Sequence, residues 1–289
     1  MKKFVVALGL LGVMLSGNTF AQTETSGRTE IYRQTHTKTT ELKHTKLKVN
    51  FDYQKEQMGG EEWLTASPYF YSTDSLVLNA KGMLIYEVAL DKNGSKSPLK
   101  YEYKDDLLKI NLDKTYNRNQ DYTVYIKYTA RPNEVSQKGS AAISDAKGLY
   151  FINAQGKDAD KPTQIWTQGE TESSSAWFPT IDKSNQKTTQ EIYMTVPDKY
   201  VTLSNGIMKS STKVSGGLRT DHWVMDKKHA PYLFFMGVGE YAVVKDKWRN
   251  IEVDYYVEKE YEPFAKQIFG NTPEMIEFFS KRLSYDYPW

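Results

Sequence analysis

Four histidines, no cysteine and scattered carboxylates define the chemistry open to this 289-residue chain. His36, His44, His222 and His229 include no pair four residues apart. No helix face can therefore offer the two imidazoles that a zinc-holding H-E-x-x-H requires. His222 and His229 fall in a stretch that reads as strand and loop, and are expected to be solvent-facing or hydrogen-bonded. Without cysteine there is no disulfide framework, no thiolate metal site and no thiol nucleophile. Neither a G-x-S-x-G elbow nor a phosphate loop occurs. Glu61-Glu62 and Asp105-Asp106 have the composition of glycosidase carboxylates. As neighbours on extended stretches their side chains diverge, so a solvated face is expected. The chain itself is expected to hold no catalytic residue and no metal ligand.

One stretch is organised differently. From Gln164 to Gly206 an aromatic entry leads to Thr167-Gln168-Gly169-Glu170, then to a polar run, Thr171 to Ser175. Trp177-Phe178-Pro179 returns the chain to apolar surroundings, and Asp182 follows. Ile192, Met194 and Val196 alternate with polar residues as a strand does, and Pro197-Asp198 breaks it. The order T-Q-G-E, W-F-P-x-x-D and V-P-x-x-Y-x-x-L-S-N-G resembles the N-terminal domain of the M1 family of zinc aminopeptidases. These gluzincins include aminopeptidase N and leukotriene A4 hydrolase. The resemblance extends to Ala230-Pro231-Tyr232-Leu233, and to Asn271-Thr272-Pro273-Glu274 and Tyr287-Pro288-Trp289.

That resemblance carries implications which composition and spacing do not. The parent enzyme would use zinc and water to remove the first residue from peptides with free N-termini. Glu170 would accept a charge-assisted hydrogen bond from the substrate ammonium. Gln168 would line the pocket for the first side chain. Trp177, Phe178 and Pro179 would be core that fixes the loop bearing Glu170; an aromatic wall against substrate is the alternative. Zinc would belong to the complete parent, its ligands lying beyond Trp289, so this piece would bind none. Its partners would be peptide substrates and its own catalytic domain. Two other readings stay open. One is a β-sandwich module for adhesion or carbohydrate binding; the other is an M1-like scaffold that has lost zinc.

These residues must be positioned by a fold that is mainly β. Hydrophobic residues make up 39% and charged residues 26%, which is globular composition. Leu47 to Tyr53, Leu76-Val77-Leu78, Met83 to Leu90, Leu108 to Leu112 and Tyr122 to Tyr128 read as strands. Gly59-Gly60, Asn93-Gly94 and Arg131-Pro132-Asn133 read as breaks. Val201 to Met208, Leu218 to Met225, and Tyr232 to Val244 with a kink at Gly237 or Gly239, continue the pattern. A large antiparallel sandwich or saddle over 44–247 is expected. The helical period appears only at Tyr261 to Phe269 and after Thr272, read as an N-cap with Pro273 at the first helical position. Residues 248–289 would thus begin an α-rich catalytic domain that is cut short.

The N-terminus reads as a signal peptide over 1–21, with Lys2-Lys3, an apolar run Phe4 to Leu15, and small residues up to Ala21. A flexible leader over 22–43 follows. Export to the periplasm or beyond the cell is the expectation, with no membrane span left after cleavage. Loss of Lys2 and Lys3 brings the net charge from +2 to zero, which argues against nucleic acid as a partner.

Overall fold

The computed structural model describes residues 34–135 and 146–289. The expected signal peptide and the leader up to residue 33 lie outside the described residues. In chain order the strands are β1 (Thr40–Asp52), β2 (Gln57–Pro68), β3 (Thr73–Asn79), β4 (Met83–Lys92), β5 (Ser95–Pro98) and β6 (Tyr101–Lys104). Next come β7 (Leu107–Tyr116), β8 (Tyr122–Ala130), β9 (Leu149–Ile152), β10 (Gln164–Thr167), β11 (Thr188–Pro197) and β12 (Val201–Ser204). Then follow β13 (Ile207–Val214), β14 (Leu218–His229), β15 (Met236–Gly239), β16 (Tyr241–Val244), β17 (Lys247–Trp248), β18 (Ile251–Glu252) and β19 (Tyr255–Glu258). Two helices close the chain, α1 (Ala265–Phe269) and α2 (Thr272–Leu283).

Eight strands form the main sheet, in the order β13-β14-β11-β1-β2-β8-β4-β5. Every neighbouring pair is antiparallel except β1 and β11, which run parallel from His44 opposite Thr189 to Asn50 opposite Thr195. A four-stranded sheet, β12-β15-β10-β9, and a three-stranded one, β3-β7-β6, complete the β body. One core serves all three. Leu47, Leu64, Ile126 and Ile192 of the main sheet join Ile165, Met236 and Val238 of the second and Leu76, Leu108 and Ile110 of the third. The mainly β, mostly antiparallel, layered architecture is the one expected from the alternating pattern.

Several details differ from the sequence reading. β1 starts at Thr40, inside the stretch read as leader. Thr40 and Leu42 are buried at even positions, Thr45, Leu47 and Val49 at odd ones. The phase flips at a bulge between Leu42 and His44. One extra residue there hides the strand from a strict two-residue period. Gly59-Gly60 does not end a strand but lies inside β2. A Cβ at Gly60 would fall 2.3 Å from Cζ of Tyr128, so glycine is what admits the tyrosine ring. Glu62 is not on a solvated face. It occupies the inner face of β2 between Gly60 and Leu64, with 0% exposure and no hydrogen-bond partner for either oxygen. Burial pushes its carboxyl well above the usual carboxylate range. Asp105-Asp106 is exposed as expected, though on a turn of positive φ and not on an extended stretch.

Val201 to Met208 is two strands in two sheets, divided at Asn205-Gly206. A Cβ at Gly206 would sit 2.0 Å from Val224 O, and its φ is +85°. Tyr232 to Val244 likewise divides. Pro231–Leu233 is a 3-10 turn, β15 belongs to the second sheet, and β16 pairs with β19. Tyr255, Val257 and Ala265 form a separate small apolar cluster with Ala242, Val244 and Val253. In the tail, Lys259–Phe264 is a 3-10 segment that leads into α1, and the N-cap of α2 is Asn271 in place of Thr272. Pro273 still sits in the first turn, where its missing N–H costs nothing.

Candidate functional site

The loop from Thr167 to Asp182 leaves β10 and crosses the end of the β body before β11. Its entry is fixed at β10, where Thr167 Oγ1 accepts from Met236 N at 3.0 Å and Gln168 N donates to Gly148 O at 2.9 Å. Two glycines permit the close approach. A Cβ at Gly148 would lie 2.0 Å from Ser173 O, and one at Gly169 would lie 2.4 Å from Tyr232 O. Ser174 Oγ donates to Pro231 O at 2.8 Å, tying the loop to the 3-10 turn at 231–233.

The far side of the loop is held by the β3–β4 turn. Asn79 and Thr180 exchange backbone hydrogen bonds at 2.7 and 3.0 Å, and Lys81 N donates to Ser175 O at 2.7 Å. Asp182 accepts from Ser175 N at 2.8 Å, and its own N–H donates to Asn79 Oδ1 at 3.2 Å. Burial pushes the Asp182 carboxyl up, while the Ser175 N–H and the Lys81 ammonium pull it back. Burial lowers the Lys81 ammonium in turn, against the charges of Asp182 and Glu172. Lys81 Nζ donates to Glu172 O, and Lys183 Nζ lies 2.7 Å from both Glu172 carboxylate oxygens. Trp177 and Phe178 are fully buried, and Phe178 stacks on Phe234 with ring centres 5.2 Å apart. They are core, as expected, and form no exposed aromatic wall.

On this frame Glu170 is exposed and Gln168 half-buried. Glu170 N donates to Gln168 Oε1 at 3.3 Å, and the Glu170 carbonyl accepts from Ser173 Oγ at 3.4 Å. No hydrogen bond or ion pair is found at the Glu170 carboxylate among the described residues. The two residues singled out in the sequence are therefore brought together, on a rigid loop, with a carboxylate facing solvent. A cleft of about 750 Å³ lies elsewhere, between Ile207 and Val224 on one side and Tyr287 and Trp289 on the other. The residues that sequence reading missed are the pins, Asn79, Lys81, Glu172 and Lys183. Only Asp182, at the end of W-F-P-x-x-D, carried a visible signal.

The side chains present do not fit a zinc site. Both ring nitrogens of His229 are engaged, with Lys227 O at 3.0 Å and Gln190 Oε1 at 3.1 Å. His44 and His222 both approach one carboxylate, Glu191, at 3.7 and 3.3 Å, and His222 stacks flat on Tyr193 at 4.0 Å. Among the described residues no three His, Cys, Asp or Glu side chains are grouped to hold a metal ion. Nor is any helix among them long and apolar enough to cross a membrane.

Comparison with known proteins gives a family match. Residues 30–233 match the peptidase M1 N-terminal domain. Among solved structures, the chain resembles an M1 zinc metallopeptidase from Deinococcus radiodurans, with a TM-score of 0.62 at 16% identity. That likeness covers 76% of this chain and 47% of the other, and at such identity it shows the fold. Two curated relatives are named transcription initiation factor TFIID subunit 2. The one from Danio rerio is 23% identical over 271 residues, and the one from Gallus gallus 20% over 270. Both alignments cover 83% of this chain, which spans only 22% and 23% of the relatives' own length.

Proposed function

The chain belongs to the peptidase M1 family through its N-terminal domain, and from that premise we propose that it forms the substrate-recognition wall of an exported zinc aminopeptidase. In this reading 44–247 is the recognition domain and 248–289 opens the catalytic domain. The substrates are peptides with free N-termini, and zinc is held outside the described residues. Glu170 receives the substrate ammonium and Gln168 borders the first side chain.

One observation carries the proposal. A solvent-facing carboxylate stands on a loop pinned from both sides by buried hydrogen bonds, and it is not consumed by any partner in the β body. A free carboxylate on a rigid mount can give a substrate ammonium a short, charged hydrogen bond with little ordering cost. It would also disfavour N-blocked peptides, which present no cation. Glu172, two residues on, differs: Lys183 already neutralises it.

The test uses the full-length protein that carries this domain. A charged hydrogen bond of about 1.5–3 kcal/mol predicts that Glu170→Ala lowers kcat/KM for free-amine peptides about ten- to a hundredfold. Glu170→Gln, which keeps an acceptor oxygen, should lose less. Thermal unfolding of both variants should match the parent. Unchanged kcat/KM in Glu170→Ala, or a collapsed melt, would make Glu170 structural.

A second reading is favoured by the names of the curated relatives, which are those of a transcription initiation factor subunit and not of a peptidase. Under it the same domain is an M1-like scaffold without zinc chemistry. Zinc analysis and peptide turnover by the full-length protein separate the two. Stoichiometric zinc with release of N-terminal residues supports the enzyme; neither, in a folded protein, supports the scaffold.

A further inference from the structure

The turn joining β2 to β3 holds out three successive aromatic side chains. Tyr69, Phe70 and Tyr71 are 44%, 62% and 81% exposed. Single exposed apolar residues are ordinary on soluble proteins, but three in a row at the tip of a β layer call for a partner. The tip is not a loose loop. Tyr69 N donates to Thr39 O at 2.8 Å, Ser72 Oγ donates to Asn117 Oδ1 at 2.8 Å, and Thr73 pairs with Tyr116. Ordered backbone thus presents the rings when they could have folded back on the core. Phe70 and Tyr71 meet edge to face at 4.9 Å and form one knob.

Cations flank it. The Arg118 guanidinium, on the neighbouring β7–β8 turn, lies 5.7 Å from the centre of the Phe70 ring. The Lys38 ammonium, which is also ion-paired with Glu41, lies 4.8 Å from the centre of Tyr69. Lys43, paired with Asp121 at 2.5 Å, lies at the foot of that turn.

We propose that this tip is a peripheral membrane contact. Phe70 and Tyr71 enter the boundary between lipid headgroups and acyl chains, and Tyr69, Lys38 and Arg118 stay at the level of the phosphates. Three features favour a bilayer over a folded protein partner. Phe70 and Tyr71 project as exposed rings, so a rigid partner would need a matching pocket, whereas lipid deforms around them. Two of its three rings carry a hydroxyl, the amphipathic aromatic type that settles at membrane–water interfaces. Its cations stand beside the rings, where lipid phosphates would lie. The contact is interfacial and needs no spanning helix.

The experiment is flotation of the purified chain with vesicles of phosphatidylcholine and phosphatidylglycerol, together with a Phe70→Trp reporter. The emission of the introduced indole, taken as the difference from the parent protein, should shift to the blue on vesicle addition. Lipids brominated on the acyl chain should quench it. Phe70→Ser combined with Tyr71→Ser should lower the partition into vesicles about tenfold or more, while Tyr86→Ser, an exposed aromatic elsewhere, should leave it unchanged. Arg118→Glu should weaken binding most at low salt. Circular dichroism melts check that each variant is folded. Two outcomes overturn the proposal: reporter emission that neither moves nor is quenched, or a double variant that floats like the parent. So does a third, in which the double variant loses self-association or binding of another protein while lipid binding was never present.

Discussion

Aromatic residues meet opposite fates in two parts of this molecule. In the loop at 167–182, Trp177 and Phe178 are fully buried, and hydrogen bonds at Ser174, Ser175, Thr180 and Asp182 tie the surrounding backbone to neighbouring segments. In the tail at 259–289, Phe264, Ile268, Met275, Phe278, Phe279 and Leu283 are all more than half exposed. Both segments have the right residues for a core. The loop finds its counterpart inside the β body, with Phe234 and the β3–β4 turn supplying the other half. The tail folds locally, because α2 has Pro273 in its first turn, a basic last turn and a left-handed C-cap at Ser284, but its apolar face has no counterpart among the described residues. Local helix formation and burial are separate conditions, and the tail meets only the first.

The largest effect should come from emptying the loop's core. Trp177→Ala removes a fully buried indole and should cost about 3–5 kcal/mol, read as a fall in the urea midpoint. Loss of Trp177 without a measurable shift would mean that the loop is no better packed than the tail. The matching change in the tail, Phe279→Ser, should move the midpoint by no more than about 0.5 kcal/mol, because the ring is already in water. It should also reduce self-association at high concentration, by shrinking an exposed apolar patch.

Between these extremes stands Glu62, a polar residue placed where the loop region would put an apolar one. Its folded-state carboxyl is shifted above the ordinary value of 4.5 by burial alone. The folded protein keeps a proton that the unfolded chain releases, so stability is undiminished below about pH 4.5 and declines as pH rises toward the elevated value. Glu62→Leu should therefore stabilise by about 1–3 kcal/mol at neutral pH, with the gain falling toward pH 4 to the part that comes from the unpartnered neutral carboxyl. Melts of both proteins across pH 4 to 8 check this. A constant difference over that range would show that Glu62 ionises freely in the folded state.

How much of this was legible in the sequence follows from what each residue depends on. The alternation in β7, β8 and β11 was readable because inner and outer faces differ in chemistry along each strand. The first half of β1 was not, because the bulge at Leu42 to His44 breaks the period. Gly59-Gly60 misled because the ring that fills the space, Tyr128, comes from a strand far along the chain. Glu62 misled because an acid beside another acid normally means solvent. At the candidate site, Gln168 and Glu170 were visible through motif resemblance. The pins Asn79, Lys81 and Lys183 were invisible, since ordinary polar residues gain meaning only when a distant segment comes to meet them.

The parallel pairing of β1 with β11 also has a consequence in time. Their partners His44 and Thr189 are 145 residues apart. As the chain leaves the ribosome, β1 can zip to β2 at once, and β8 and β4 can extend that sheet. The other edge of β1 must wait, its N–H and C=O groups unpaired, until β11 has been made. A long-lived open edge in a half-built sheet is an invitation to join the wrong strand. The order of synthesis therefore leaves one edge of β1 open until β11 emerges. A chaperone that covers extended, unpaired backbone would be needed most in the interval between the emergence of Thr40 and that of Pro197.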